Sequence, residues 1–149
     1  MNYIFPRLIF TISLFLLFSH QAYADNTYAV FSLNKDFKPL TKSKVRMLYR
    51  GKTKRLQGKK IELCDWSESH VVRNEFYQKL LRKDVAQMNA YWASLSFSGK
   101  ARPPKIIKED SIEELLQWVS AKETRIGYAK LALLPKTANV LYIVKKERK

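Results

Sequence analysis

The stretch IELCDWSESHVVRNEFYQKLL, residues 61–81, contains a candidate strand, a polar turn and a candidate helix in direct succession. Alternating apolar and polar residues over 61–64 predict a β-strand. The turn over residues 65–69 leads into a segment that places Val72, Phe76 and Leu80 on one helical face. Strands that alternate with helices are typical of α/β folds, so this stretch indicates the fold class.

The segments on either side continue this alternation. Three further helix starts contain capping residues, namely Thr41 and the pairs Asp84/Gln87 and Ser111/Glu114, which have the spacing of a capping box. Short apolar runs predict further strands, over residues 28–31, 105–108, 126–129 and 140–144. Residues 50–60 are basic, contain two glycines and predict a loop. We therefore expect one domain with the architecture of an α/β sandwich.

Residues 1–24 have the pattern of a signal peptide. Arg7 precedes an apolar run over residues 8–18, and Ala22-Tyr23-Ala24 has the small-x-small form of a cleavage site. The run is shorter than the roughly 20 residues of a membrane-spanning helix. We expect cleavage after residue 24, a domain over residues 25–149 in the periplasm and no membrane span in the mature protein. The alternative is an uncleaved anchor or a buried helix.

The charge of the chain is strongly positive, with 28 Lys and Arg against 13 Asp and Glu and a formal charge of +15. Removing residues 1–24 removes only Arg7, which leaves 27 against 13, or +14. Such an excess usually indicates nucleic acid, but export excludes it as a partner. Phosphate-like solutes, anionic lipid headgroups and acidic proteins remain. The alternative is a basic surface that is simply solvated.

Residues for catalysis or metal binding are scarce. Cys64 is the only cysteine, which excludes an internal disulfide, and its apolar flanks predict a buried thiol. His70 is the only histidine after residue 24, and no nucleophile–base–orienter set or metal-binding spacing is present. We therefore expect no enzyme activity, no cofactor and no metal.

The turn after the predicted strand is the candidate ligand site. Backbone N–H groups and the helix dipole favour an anion at a helix start. Ser67 and Ser69 add hydroxyl donors, Arg73 adds charge one turn into the helix, and Asp65 could accept a proton from a monoprotonated oxyanion. The alternative is structural, with one of the serines as an ordinary N-cap and Asp65 as a turn residue.

Three segments in this order resemble the PstS-like periplasmic phosphate-binding proteins: residues 40–52, 65–69 and 125–129. The resemblance implies one lobe of the type 2 periplasmic-binding-protein fold, an α/β sandwich with a mixed sheet flanked by helices. In the family's phosphate loop, Asp65 matches the aspartate, Ser67 the central serine and Ser69 the following threonine. Leu63 stands where the family has an arginine, and Trp66 and Glu68 replace its two glycines.

The resemblance implies a non-catalytic, solute-binding protein for inorganic phosphate or a similar oxyanion. Its implied partner is an ABC transporter or another membrane protein. A second hypothesis is an interaction module with a vestigial ligand loop, whose basic surface docks a sensor, a channel or an anionic envelope polymer. Charge reversal at Lys52, Lys54 and Arg55 would abolish activity in that case, whereas loss of Ser67 and Ser69 would not.

Overall fold

Four α-helices and seven β-strands make up the part of the chain that the structure, a computed structural model, describes, residues 26–145. The strands are β1 (Tyr28–Ser32), β2 (Arg55–Leu56), β3 (Lys59–Lys60), β4 (Glu62–Asp65), β5 (Lys105–Ile106), β6 (Arg125–Lys130) and β7 (Asn139–Val144). The helices are α1 (Lys42–Tyr49), α2 (Val71–Leu81), α3 (Val85–Phe97) and α4 (Ile112–Ser120), with a 3₁₀ turn at Leu131–Leu133. The predicted signal peptide lies outside the described residues.

The main sheet is mixed and has the strand order β5-β4-β6-β1-β7. Strand β4 pairs in parallel with β5 and β6, whereas β1 is antiparallel to β6 and β7. All five residues of β1 are buried, as expected for a strand covered on both faces. The parallel pairing brings the carboxyl ends of β4 and β5 to the same edge, where the loops entering α2 and α4 meet.

The predicted helix starts are confirmed for α1 and α3. Thr41 accepts a hydrogen bond from the Lys44 backbone N–H, and Asp84 and Gln87 form a reciprocal capping box. Only half of the capping box predicted for α4 is present. Ser111 caps the helix, but the Glu114 carboxylate accepts from backbone N–H groups in the preceding loop instead. That loop turns back towards α4, so its N–H groups donate to the Glu114 carboxylate.

The prediction of a loop over residues 50–60 is wrong for residues 55–60, where β2 and β3 form a small hairpin. Gln57 and Gly58 make its turn with φ angles of 47° and 83°. Positive φ at both central residues is the backbone twist that two-residue hairpins prefer. Each strand has only two residues, which is too short to show an alternating pattern.

Aromatic side chains form the centre of the core. The rings of Phe76 and Tyr128 stack with centroids 3.6 Å apart, and Tyr49 packs edge-on against both. Cys64 is buried beside this cluster, which confirms the prediction for its thiol. Between residues 26 and 145, no helix has the length and apolar character needed to cross a bilayer.

Candidate functional site

The turn between β4 and α2 covers residues 66–70, one position later than the sequence predicts. Helix α2 begins at Val71, and its N-cap is His70, whose Nδ1 accepts from the Val72 backbone N–H at 3.3 Å. The hypothesis that Ser67 or Ser69 caps the helix is therefore wrong. The His70 ring stacks on Trp66 with centroids 4.4 Å apart, which holds the capping residue in place.

Asp65 points into the core rather than into the turn. It is 1% exposed, and its Oδ1 accepts from the Trp66 backbone N–H at 2.9 Å and from the Tyr128 hydroxyl. Its Oδ2 accepts from the Tyr77 hydroxyl. Both carboxylate oxygens are thus satisfied inside the protein by donors from β6, α2 and the turn itself.

Arg73 completes this buried cluster. Its Nε lies 3.2 Å from Asp65 Oδ2, an ion pair without the alignment of a hydrogen bond. The other guanidinium nitrogens donate to the Trp66 carbonyl oxygen and, at 2.9 Å, to Asn89 Oδ1. With 4% exposure, Arg73 ties the turn to α3 from the inner side.

Burial is the dominant influence on ionisation in this cluster. It raises the pKa of Asp65, although the Arg73 charge and the hydrogen bonds from Tyr128, Tyr77 and the Trp66 N–H act in the opposite direction. Burial also raises the pKa values of Tyr77 and Tyr128, and the Asp65 carboxylate adds to both shifts. Both tyrosines therefore remain protonated donors towards Asp65.

The outer side of the turn holds the two serines and a carboxylate that the sequence analysis missed. Asp110 Oδ1 accepts from the Ser67 backbone N–H at 2.8 Å, and its Oδ2 accepts from the Ser67 hydroxyl. The Ser67 and Ser69 hydroxyl oxygens are 3.2 Å apart. Ser69 is exposed, whereas Ser67 and Asp110 are half-buried, so this group lies at the surface.

Asp110 reaches this position because its loop meets the β4 turn at the shared edge of the sheet. The Ile107 N–H donates to the Asp65 carbonyl oxygen at 2.9 Å, and the chain then turns back with Asp110 at a φ of 50°. Aspartate tolerates this left-handed conformation better than most residues. The next residue, Ser111, caps α4, so two helix starts lie at the same edge.

The structure therefore separates the four predicted site residues into two pairs. Asp65 and Arg73 meet in the interior, while Ser67 and Ser69 lie together on the outer side with Asp110. Within residues 26–145 no group of His, Cys, Asp and Glu side chains is arranged to hold a metal ion. On the outer side, the Ser67 N–H and hydroxyl are donors that together hold the two oxygens of a carboxylate.

No protein-family model matches the chain, and no curated protein matches it in sequence. The solved structures that are similar to it include two phosphate-transport proteins. One is an ABC-type phosphate transport receptor from Vibrio cholerae, with 13% identity and a TM-score of 0.57 over 76% of this chain and 44% of the receptor. The other is a putative phosphate ABC transporter substrate-binding protein with bound phosphate from Clostridium perfringens, with 16% identity and a TM-score of 0.58 over 76% and 43%.

The chain has the fold of a periplasmic-binding-protein lobe. This confirms the predicted single-lobe α/β architecture with its mixed sheet flanked by helices. The matched region spans less than half the length of either similar protein. At these identities the likeness concerns the fold alone.

Proposed function

We propose that this chain is an exported, non-catalytic relative of the PstS-like proteins that binds phosphate or a related oxyanion at the turn over residues 65–70. One observation supports this above all: the Ser67 N–H and hydroxyl already hold two carboxylate oxygens of Asp110. A tetrahedral oxyanion presents a similar pair of oxygens. Both similar structures are named as phosphate-transport proteins, which supports the choice of ligand.

In this proposal the two pairs of predicted residues have different roles. Ser67 and Ser69 contact the anion from the outer side of the turn, together with the positive end of the α2 dipole. Asp65 and Arg73 fix the turn from below, because direct contact with a ligand would require both side chains to leave the core. The Asp110 carboxylate competes with the ligand and moves aside when the ligand binds.

The export part of the proposal rests on the pattern of residues 1–24. The partner of the exported protein would be a membrane transporter, or a sensor or channel that binds the phosphate-bound form. Expression with a secretion-competent host and N-terminal sequencing of the exported product tests this part. Cleavage after Ala24 is the expected result, and retention of the full chain in the cytoplasm contradicts it.

Binding is tested by titration calorimetry of the chain with phosphate and, separately, with sulfate. Replacing Ser67→Ala and Ser69→Ala removes two hydroxyl donors to a charged ligand, each worth about 1.5–3 kcal/mol. We expect phosphate affinity to fall at least about tenfold, since 1.4 kcal/mol corresponds to a factor of ten. The control pair Ser43→Ala and Ser96→Ala changes two exposed serines elsewhere and leaves affinity unchanged.

The variant Asp110→Asn tests the competition directly. Asparagine keeps the shape and tolerates the positive φ of residue 110, but it removes the negative charge from beside the ligand. A neutral acceptor holds the Ser67 donors about 1 kcal/mol less strongly than a charged one. We expect phosphate to bind about five times more tightly. The proposed function is contradicted if millimolar phosphate produces no heat and no thermal shift in either the wild type or this variant.

A further inference from the structure

A second concave surface lies along the edge strand β5, apart from the turn over residues 65–70. It is a groove of about 1160 Å³ in which none of the turn residues takes part. Its apolar lining includes Leu63, Pro104, Ile106 and Trp118, and Ile106 is 39% exposed. Leu63 and Trp118 are half-buried and Pro104 is buried, so Ile106 is the exposed apolar side chain among these four.

The groove is lined by six cationic side chains, Lys54, Lys60, Arg102, Lys105, Lys108 and Arg125. Its only acidic residue, Glu62, is already paired, at 2.8 Å with Lys122 and at 3.2 Å with Arg125. Arg125 is further held over the Trp118 ring, 4.3 Å from its centroid. The groove therefore presents a net positive charge that its own residues do not neutralise.

The side-chain charges of the remaining cations make few hydrogen bonds or ion pairs with the rest of the described chain. Lys54 makes one long contact, 3.5 Å, to the Lys100 carbonyl oxygen. Among residues 26–145, Lys60, Arg102 and Lys105 form no ion pair. Side chains of this kind attract an anionic partner and set its orientation.

Strand β5 adds an open backbone edge to the groove. It pairs with β4 on one side, where Asp65 lies opposite Ile106 and the Asp65 backbone carbonyl oxygen accepts from the Ile107 N–H. Alternation along a strand then directs the Ile106 N–H and carbonyl oxygen away from β4, to the side where β5 has no partner strand, and Ile106 is one of the residues that line the groove. Pro104 lacks an N–H and the Lys108 N–H donates to Glu114, so the open edge is short and suits a short extended segment.

We propose that this groove binds an extended segment of a partner protein in which acidic and apolar side chains alternate. Successive side chains of an extended segment point to opposite sides. Its apolar side chains can therefore face Trp118 and Ile106 while its carboxylates face the cationic rim. The segment's backbone pairs with the open edge of β5, as in other cases of strand addition.

The charge of this chain excludes the two nearest alternatives. A second copy would bring two cationic grooves together, and the chain has a formal charge of +15. The terminal segments of the chain are no better suited to the groove. Residues 1–24 contain no Asp or Glu, and residues 146–149 contain three basic residues and one acidic residue. None of these segments supplies the excess of negative charge that the groove attracts.

The proposal is tested by fluorescence anisotropy with a labelled octapeptide of alternating Glu and Val. We expect it to bind the chain, and we expect the matching peptide of Gln and Val, or a backbone N-methylated Glu-Val peptide, to bind at least about tenfold more weakly. Loss of binding with added salt accompanies this result. Equal binding of the Glu and Gln peptides, or of the N-methylated one, overturns the proposal.

Paired charge reversals locate the binding surface. Lys105→Glu with Lys108→Glu places two carboxylates on the groove and lowers peptide affinity about tenfold. Lys35→Glu with Lys136→Glu makes the same change in net charge at exposed positions outside the groove and leaves affinity within about twofold. Equal losses in both pairs, or binding of heparin but not of the peptide, overturn the proposal in favour of general attraction for polyanions.

Discussion

Replacement of Asp65 distinguishes a structural carboxylate from a ligand-binding one. Its carboxylate accepts from the Trp66 N–H and two tyrosine hydroxyls and lies 3.2 Å from Arg73 Nε, all in the interior. Asp65→Asn keeps the volume of the side chain but leaves the Arg73 charge, at 4% exposure, without a counter-charge. Breaking a buried ion pair in this way costs about 3–5 kcal/mol. A domain is typically stable by about 5–15 kcal/mol, so this loss is a large fraction of the total.

The assay is urea denaturation followed by tryptophan fluorescence, for which Trp66 is a local probe. The loss of at least about 3 kcal/mol should lower the midpoint by about 1–3 M urea, because the m-value of a small domain is about 1–3 kcal/mol per M. Glu113→Gln, at an exposed carboxylate, serves as the control and stays within about 0.5 kcal/mol. Combining Asp65→Asn with Arg73→Met removes both charges and should recover part of the loss.

The opposite outcome would refute this account of the turn. If Asp65→Asn leaves the denaturation midpoint unchanged but abolishes the phosphate signal in calorimetry, Asp65 contacts the ligand directly, as the sequence predicts. If stability falls and the folded fraction still gives a thermal shift with phosphate, Asp65 acts by fixing the turn. The two results cannot be confused, because one changes stability and the other changes binding.

Two further predictions concern the sheet. Gly127→Ala would place a Cβ 2.8 Å from Leu115 Cδ1, where α4 packs on β6, and this overpacking should lower stability by about 1–3 kcal/mol in urea denaturation. The hydrogen bond from Lys122, followed by that from Arg125, lowers the pKa of Glu62 below its ordinary value of 4.5. The ionised Glu62 carboxylate therefore stabilises the protein above pH 4.5, and this contribution is lost as the pH falls through the lowered pKa. Glu62→Gln should lower stability at pH 7 by less than about 1 kcal/mol, because the pair is exposed, and should have no effect at pH 2. A loss of equal size at both pH values would contradict this.

Local chemistry explains which parts of the fold could be predicted from the sequence. A capping residue satisfies N–H groups within three positions of itself, so Thr41 and the Asp84/Gln87 pair could be identified without any tertiary information. The buried thiol of Cys64 followed equally from its apolar neighbours. The hairpin over residues 55–60 was missed because two-residue strands leave no periodicity to detect.

The candidate site shows where such local reasoning ends. Ser67 and Ser69 were identified from the turn alone, and they do lie together on its outer side. Asp110 is 43 positions from Ser67 in the chain, and only the parallel pairing of β4 with β5 places its loop beside the turn. The inward direction of Asp65 likewise depends on donors from α2 and β6 that the turn sequence does not contain.

The sequence by itself determined the α/β class, the caps of α1 and α3 and the presence of a polar turn after β4, because each depends on residues a few positions apart. The tertiary structure alone decided which polar groups of that turn meet the core and which meet the surface. It also decided that Lys54, Lys105 and Arg125, distant in the chain, line one groove. The physical reason is that burial and charge pairing act between groups that are close in space, and strand order sets which groups those are.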